Sequence, residues 1–319
     1  MKVLNVSLSP HIRSGESTRS IMLDVIIALL PCLGMGVVVF GVQSLLVIAI
    51  SVISCVASEY FYCIVTHSKQ TAGDLSAVVT GLILAANLYS TAPWYIPLLG
   101  GIFAIIIVKM LFGGLGQNFM NPALAARCFL VISFAKAMTN YPLIDGMSSS
   151  TPLVAAKNGE LIDILDLVIG THSGTIGETS VIALLIGGLY LIFRRVIRFQ
   201  CPLSVILSTA VFVGLFTLVK DPSLLTVNYL LVNALGGGLW IGAIFMASDY
   251  ATTPVTKSGQ IIFGIAVGFI TAFIRVFGQS GEGMSFAIIL CNLLTPVIEK
   301  FTYPKVFGVY KNKIQKESK

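Results

Sequence analysis

Long apolar runs separated by short polar segments extend along the whole chain. We count about ten runs that approach the roughly 20 residues a helix needs to cross a bilayer, and the third and fifth are short and contain polar residues. The runs lie near 21–40, 45–65, 75–88, 96–112, 122–138, 180–193, 202–219, 229–247, 261–277 and 285–301. They are continuous and do not alternate between apolar and polar positions, which favours helices over the strands of a membrane barrel. The pattern predicts an all-α polytopic membrane protein of about ten transmembrane helices.

Composition agrees with this pattern. Hydrophobic residues make up 56% of the chain and charged residues only 11%, whereas about a quarter of the residues in a soluble domain are charged. The net charge of +6 comes from basic residues that flank the apolar segments, so we connect it with orientation in the membrane and not with nucleic acid. Residues 1–20 contain no apolar block of their own, so we expect no cleavable signal peptide and a retained first helix.

The distribution of lysine and arginine predicts an orientation. With a cytoplasmic N-terminus, the segments on the inner side contain most of the basic residues, including the lysine-rich tail, and the outer loops contain few. This is the bias of the positive-inside rule, and it predicts that both termini are cytoplasmic. The longest loop, residues 139–179, then lies on the outer face between helices five and six.

A weak internal repeat divides the chain around that loop. Residues 109–117 (KMLFGGLGQ) resemble residues 275–282 (RVFGQSGE), and the two copies lie an odd number of spans apart. An odd offset predicts an inverted-topology repeat, as in many transporters, although chance similarity between two glycine-rich helix ends remains an alternative. We therefore expect a first five-helix repeat over 1–138, an external loop over 139–179 and a second five-helix repeat over 180–319.

Polar or proline-bearing segments interrupt some of the apolar runs. They are 73–76, 118–122 and 249–254, and we expect helices three, five, eight and ten to be the broken ones. Unpaired backbone groups are tolerated at membrane depth only where they line a site. These segments are therefore the expected places for a polar ligand or an ion.

A hydroxyl-rich turn, residues 145–153 (DGMSSSTPL), lies within the longest loop. Asp-Gly and proline are ordinary turn residues, so the turn could be a simple solvated loop. The alternative is that one hydroxyl carries a cofactor through a phosphoester.

Four segments together resemble a known family. They are 73–81 (GDLSAVVTG), 112–123 (FGGLGQNFMNPA), 145–153 and 246–256 (MASDYATTPVT). In these segments, and over essentially its whole length, the chain resembles the D subunits of Rnf complexes, which are ion-translocating ferredoxin:NAD⁺ oxidoreductases. It is also similar to the B subunits of Na⁺-translocating NADH:quinone reductases.

The resemblance implies a covalent flavin. In the family a transferase joins FMN through its phosphate to a threonine within Asp-x-x-Ser/Thr-Gly-Ala-Thr/Ser. This chain matches the frame at Asp145, Ser148 and the acceptor Thr151, but has Ser149 and Ser150 where the family has Gly and Ala. Ser150 is therefore an alternative acceptor.

The resemblance also implies a second, non-covalent flavin, a riboflavin, near the cytoplasmic end of the region around Asn118 and Asn121. Both side chains could hydrogen-bond that flavin. Asn121 also precedes Pro122, and asparagine before proline is a common helix start. Helix capping and flavin binding are therefore both open for these residues.

Ionisable residues within apolar spans are costly and are functional candidates by default. Asp249 is the strongest candidate for a Na⁺ or H⁺ coupling site, because it neighbours Thr252, Thr253 and a proline break; capping of a broken helix is the alternative. For Lys109 and Arg275 we expect the long side chains to reach the membrane interface. Asp24 and Glu59 complete the set.

The resemblance implies a membrane subunit that carries electrons through covalent FMN and a second flavin, coupled to Na⁺ or H⁺ movement. We expect no turnover by this chain alone. The implied partners are a flavin-bearing external subunit, iron–sulfur and nicotinamide subunits and the flavin transferase, in a bacterial cytoplasmic membrane. A channel or secondary transporter without a cofactor, and a structural docking subunit, are the rival classes.

The remaining reactive residue types give no motif. The six cysteines form no Cys-x-x-Cys pair, and we interpret them as small buried apolar side chains, with a metal or iron–sulfur site shared with another subunit as the alternative. The three histidines show no metal-ligand spacing.

Overall fold

The chain is helical throughout the part that the structure describes. The computed structural model describes residues 17–138, 151–278 and 282–304, and no strand occurs within them. The helices are α1 (Thr18–Phe40), α2 (Val42–Val65), α3 (Ser76–Ala86), α4 (Tyr95–Ile102), α5 (Pro122–Ser133), α6 (Ala135–Met138), α7 (Pro152–Lys157), α8 (Ile164–Ile169), α9 (Val181–Phe193), α10 (Gln200–Lys220), α11 (Val227–Leu235), α12 (Leu239–Ile241), α13 (Lys257–Phe277) and α14 (Met284–Thr302). Two of them continue as π-helix, α4 over Phe103–Met110 and α12 over Gly242–Met246. The predicted all-α class is confirmed for these residues.

Helix length separates the apolar segments into two groups. Among the described residues, α1, α2, α10, α13 and α14 are long and apolar enough to cross a membrane, and α11 with α12 adds a sixth span if the bent pair counts as one. Four apolar helices are shorter: α3, α4 with its π-helical part, α5 and α9. Each of the ten predicted segments thus contains helix, but the count of ten transmembrane helices is not confirmed.

The eighth segment is interrupted, but at residues 236–238 and not at the predicted 249–254, and the interruption predicted for helix ten is wrong. The eighth segment divides into α11 and α12, which meet at an angle of 46°. Gly237 and Gly238 in the break have φ angles of +73° and +63°, which glycine adopts without steric cost. By contrast, α14 runs without a break through Pro296; the one backbone hydrogen bond that proline cannot donate is not enough to end this helix.

Close helix contacts depend on small residues. A Cβ added at Gly101 would overlap Ser54 Oγ, where α4 packs on α2, and one added at Gly268 would overlap Ser208 Oγ, where α13 packs on α10. Small residues allow helix backbones to approach closely where lipid gives no hydrophobic driving force. Similar serine–glycine contacts therefore occur on both sides of the 139–179 loop, while the inverted repeat itself stays a prediction.

The last part of the long loop packs into the helical bundle. Ile176 and Gly177 donate backbone hydrogen bonds to the carbonyl oxygens of Leu88 (2.9 Å) and Ala86 (2.8 Å) at the end of α3. These bonds satisfy groups that a short helix would otherwise leave unpaired within the apolar region. The loop is therefore part of the structure that holds α3, and it brings Glu178 among the helices.

The six cysteines are buried and form no disulfide bond. Their burial confirms the prediction that they are small packing side chains. They are Cys32, Cys55, Cys63, Cys128, Cys201 and Cys291.

Candidate functional site

A cleft with about 740 Å³ of unfilled space lies among α1, α3, α9, the start of α5 and the segment after α12. Its wall is mainly apolar, with polar side chains from several separate stretches: Ser76, Thr80, Lys109, Asn118, Asn121, Ser248, Asp249 and Tyr250. Pockets for small ligands typically have this mixture of an apolar wall with a few polar groups. The fold thus brings Asn118, Asn121 and Asp249, which were selected separately from the sequence, to one cleft.

The two asparagines of the cleft have different environments. Asn121 is the N-cap of α5, and its Oδ1 accepts hydrogen bonds from the backbone of Ala123 (3.1 Å) and Leu124 (3.4 Å). Asn118 is 7% exposed, and its buried Oδ1 has no hydrogen-bond partner among the described residues. A buried oxygen without a donor is costly and rare in native structures. Capping is therefore confirmed for Asn121, while Asn118 is the side chain that lacks a partner.

Lys109 lies inside the protein, so the expectation that it reaches the membrane interface is wrong. The π-helical part of α4 places it at the cleft wall with only 1% of its surface exposed. Its Nζ lies 2.8 Å from Glu59 Oε2 and donates to Ser76 Oγ at 2.6 Å. Thr71 donates to the other carboxylate oxygen of Glu59, and Ser76 donates to Asp74. A buried lysine without such partners would cost several kcal/mol. These contacts therefore allow the charged Lys109 to remain inside the protein.

Asp249 occupies the segment after α12 and lines the same cleft. It is half-buried, and its Oδ2 accepts a hydrogen bond from Thr252 Oγ1 at 3.2 Å. Burial raises the pKa of its carboxyl above the ordinary value. The carboxylate also accepts from the backbone of Ala251 and Tyr250 in the turn that follows it. The next helix, α13, is capped by Thr256, whose hydroxyl accepts from Gly259 N at 3.0 Å.

Asp24 is paired within the protein. Its carboxylate accepts from Arg194, with the closest nitrogen at 3.1 Å, and from the hydroxyl of Tyr190 at 2.8 Å. These contacts join α1 to the end of α9. They give Asp24 a structural role, so we do not include it in the site.

Arg275 is also buried, at 0% exposure, and does not reach the interface as expected. Its guanidinium donates to the backbone oxygens of Asn233 (2.5 Å), Gly236 (3.0 Å) and Gly237 (2.8 Å). These carbonyls lie at the end of α11 and in the break, where helical hydrogen bonding stops. Arg275 therefore caps the broken helix from the neighbouring α13.

Thr151, the predicted acceptor, is the N-cap residue of α7, and Pro152 begins that helix. Its side chain makes no capping hydrogen bond to the first turn, and it is 7% exposed. Leu153 then packs against the broken helix, so closely that a Cβ added at Gly237 would overlap Leu153 Cδ1. The rest of the predicted attachment frame lies outside the described residues: Asp145, Ser148 and Ser150.

A charged cluster around Arg127 was not found from the sequence. Arg127, on α5, donates to Asn87 Oδ1 (2.9 Å) and Ser285 Oγ (2.8 Å) and pairs with Glu282 at the start of α14. The signal was available, since Arg127 is the only charged residue of Pro122–Ser133. Sequence alone could not show that its partners come from α3 and α14.

Glu178 lies near this cluster. Its Oε2 accepts from Thr175 Oγ1 at 3.2 Å. Burial, and secondarily the neighbouring carboxylate of Glu282, raise the pKa of Glu178 above its ordinary value, while Arg127 acts against them. Two carboxylates and an arginine therefore share one partly buried region.

Comparison with known proteins matches nearly the whole chain to one family. The model of the NQR2, RnfD, RnfE family matches residues 5–308. The chain is 48% identical to the D subunit of the Na⁺-translocating ferredoxin:NAD⁺ oxidoreductase complex of Acetobacterium woodii, with 99% of this chain and 98% of that protein covered. It is 38% identical to the D subunit of the proton-translocating ferredoxin:NAD⁺ oxidoreductase complex of Clostridium ljungdahlii, with 96% of each covered. The D subunit of the ion-translocating oxidoreductase complex of Actinobacillus succinogenes is 34% identical, with 96% and 98% covered.

Proposed function

The chain belongs to the NQR2, RnfD, RnfE family, and from this premise we propose that it is a membrane subunit of an ion-translocating ferredoxin:NAD⁺ oxidoreductase complex. Relatives that cover almost all of this chain are named as the D subunits of such complexes. The observation that carries the proposal is the cleft in which Asn118, Lys109 and Asp249 meet. It combines a mainly apolar wall and an unpartnered amide oxygen with a titratable group.

The cleft suits a non-covalent flavin such as riboflavin. Its mainly apolar wall suits a ring system, and the unpartnered Oδ1 of Asn118 requires a hydrogen-bond donor. Asn121 would border the same ligand through its remaining amide group. When bound, a flavin supplies one- or two-electron transfer, and the protein orients it and tunes it by nearby charge. Lys109, held in place by Glu59, is the cation positioned to act in this way.

Thr151 is the proposed attachment residue for covalent FMN, through a phosphoester to its hydroxyl. Support comes from its position as the residue before α7, where the hydroxyl is not used for capping. Because Thr151 is almost fully buried, the turn has to open or fold late for a flavin transferase to reach it. Asp145 and Ser148 would be read by that transferase, and Ser150 is the competing acceptor.

Asp249 is the proposed coupling residue. A carboxyl whose pKa is raised by burial exchanges a proton more readily near neutral pH, and carboxylate with hydroxyl oxygen also suits Na⁺. One relative is named as Na⁺-translocating and another as proton-translocating, so both ions are retained. Asp249 and Asn118 line the same cleft, so the charge of a bound flavin would influence ion binding.

The proposed setting is the bacterial cytoplasmic membrane with both termini inside and Thr151 towards the outer face. There, an external flavin-bearing subunit would exchange electrons with FMN, and iron–sulfur and nicotinamide subunits would supply the other redox steps. A channel or transporter without a cofactor remains the second candidate, favoured by the broken helix α11–α12, which is typical of transporters.

In-gel fluorescence tests the proposal. The chain, purified from cells that contain the transferase and run on a denaturing gel, should fluoresce as a flavoprotein. The variant Thr151→Val should be dark. A dark wild-type band would exclude covalent flavin and favour the transporter, and fluorescence that persists in Thr151→Val would move the attachment to Ser150 or a neighbour.

A further inference from the structure

A second cleft, with about 700 Å³ of unfilled space, opens at the end of α9 and the start of α10. Arg195, Arg198 and Gln260 contribute to its wall, and Asp249 and Tyr250 line both this cleft and the flavin cleft. The function proposed above uses Asp249 but gives no role to Arg195, Arg198 or Gln260. Its lining carries two positive charges against the single carboxyl of Asp249, so it favours an anion.

Arg195 has two unusual properties. It is a non-glycine residue with a φ angle of +58°, a left-handed conformation that is strained for a side chain of this kind. Its guanidinium makes no hydrogen bond or ion pair with any described residue. Strain of this type persists only where the surrounding structure holds it, and strained residues cluster at ligand-binding and active sites.

Other polar groups of the second cleft also have unused bonding capacity. Arg198 donates from one terminal nitrogen to Val255 O at 3.1 Å. Gln260 has a buried Oε1 without a hydrogen-bond partner among the described residues. Two guanidinium groups with an amide beside them can hold a phosphate and a neighbouring hydroxyl, because guanidinium donors match phosphate oxygens in pairs.

The surroundings of the second cleft are apolar and exposed. Phe193 at the end of α9 is 83% exposed, and Phe199 and Leu203 at the start of α10 are 54% and 49% exposed. Because α10 is long and apolar enough to cross a membrane, these side chains lie where the acyl region of a bilayer would meet its headgroups. A free phosphate would gain nothing from them, whereas acyl chains would cover them.

We propose that the second cleft binds the phosphate of an anionic phospholipid, held by Arg195 and Arg198, with the acyl chains lying along Phe193, Phe199 and Leu203. Phosphatidylglycerol fits this chemistry, since its headgroup adds hydroxyls that can reach Gln260. The site borders the flavin cleft at Asp249 and Tyr250, but Arg195 and Arg198 line the second cleft alone.

Lipid retention by the purified complex tests the site. The complex is reconstituted with equal amounts of phosphatidylglycerol and phosphatidylcholine, extracted into detergent and analysed for bound lipid by native mass spectrometry. The variant Arg195→Gly removes the guanidinium and relieves the left-handed strain, so folding is preserved. We expect retained phosphatidylglycerol to fall about fivefold, the change that corresponds to about 1 kcal/mol for one basic residue at an anionic surface. Adding Arg198→Gln should lower it further.

A lysine double variant and a phosphate-binding measurement are the controls. The double variant Lys69→Gln/Lys300→Gln removes two exposed lysines elsewhere and should retain lipid as the wild type does. Equal retention by wild type and Arg195→Gly, or an equal loss in the lysine control, would overturn the proposal. Radiolabelled inorganic phosphate is the final probe. If its binding to the delipidated complex depends on Arg195 while phosphatidylglycerol retention does not, the cleft binds a free anion and the lipid proposal is wrong.

Discussion

At the scale of single residues, two asparagines three positions apart have separate tasks. Asn121 uses its amide oxygen to begin α5, whereas the oxygen of Asn118 is buried and without a partner among the described residues. Lys109 has a task that its sequence position did not reveal, since it forms a buried ion pair with Glu59 at the wall of the same cleft. Substituting Asn118 and substituting Asn121 should therefore have different consequences.

The variants Asn118→Ala and Asn121→Ala separate ligand binding from helix capping. We expect Asn118→Ala to weaken binding of the non-covalent flavin about tenfold, the effect of one lost hydrogen bond, without lowering the stability of the flavin-free chain. Asn121→Ala should destabilise the fold by about 1 kcal/mol through the lost cap. Flavin titration and thermal melting of the flavin-free protein measure the two effects. A fall in melting temperature for Asn118→Ala without a change in flavin affinity would assign this residue to structure alone.

Asp249 should make stability depend on pH. Its pKa is raised in the folded protein above the ordinary value of 3.8, so folding favours the protonated carboxyl. That contribution is present at low pH and is lost as the pH rises through the raised folded-state pKa. Asp249→Asn, which stays neutral, should therefore melt at a higher temperature than the wild type at neutral pH and at a similar temperature in acid.

Sodium provides a second measurement on the same pair of proteins. If Asp249 binds Na⁺, added Na⁺ should raise the melting temperature of the wild type at neutral pH and leave that of Asp249→Asn unchanged. Choline chloride at equal ionic strength is the control. A difference between the two proteins that is the same at every pH would show that the carboxyl does not titrate between folded and unfolded states in this range.

At the scale of elements, the break between α11 and α12 connects α7 to the rest of the bundle, and α7 begins directly after Thr151, the proposed attachment residue. Arg275 on α13 holds the carbonyls of the break, and Leu153 of α7 packs on Gly237. Thr151 lies two residues before Leu153, so the position of this proposed attachment residue depends on a helix end that is distant in sequence. The sequence analysis expected the interruption of helix eight at residues 249–254, and so did not show that the break at 236–238 supports α7.

Two adjacent glycines test this connection. Gly237→Ala and Gly238→Ala introduce the same left-handed strain, about 1 kcal/mol or more, because both φ angles are positive. Only at Gly237 would the new Cβ overlap a neighbour, Leu153 Cδ1; at Gly238 the nearest atom is 4.0 Å away. We expect Gly237→Ala to melt at a lower temperature and to carry less covalent flavin. Equal flavin content in the two variants would show that the break does not position Thr151.

At the scale of the whole molecule, Arg127 joins distant parts of the chain. Its partners Asn87, Glu282 and Ser285 come from the end of α3 and the start of α14, which belong to the two predicted repeats. The loop that ends with Glu178 packs against the same end of α3. The two predicted repeats are therefore linked by charge pairing as well as by apolar packing.

A double-mutant cycle measures that link. Arg127→Gln should destabilise the protein by about 3 kcal/mol or more, because it leaves the partly buried Glu282 without its cation. The double variant Arg127→Gln/Glu282→Gln should recover part of this loss, as the carboxylate is then neutralised. Thermal or denaturant unfolding in detergent provides the values. Additive losses from the two substitutions would mean that the pair contributes nothing beyond its separate residues.

The sequence by itself determined what depends on local pattern. Apolar runs predicted the positions of the main helices, and the Asn-Pro pair predicted the start of α5. The resemblance in four motifs predicted the family that the comparisons show. These features are local because helix formation, capping and turn geometry depend on residues close in sequence.

Only the tertiary structure decided which polar groups meet. Lys109 and Arg275 look like side chains that reach the interface, yet both are buried, one paired with Glu59 from α2 and the other with carbonyls from α11. A charge can remain inside an apolar bundle only where a partner from another element satisfies it, and the choice of partner depends on helix packing. For the same reason, Asn118 and Asp249 lie far apart in the sequence but face one cleft.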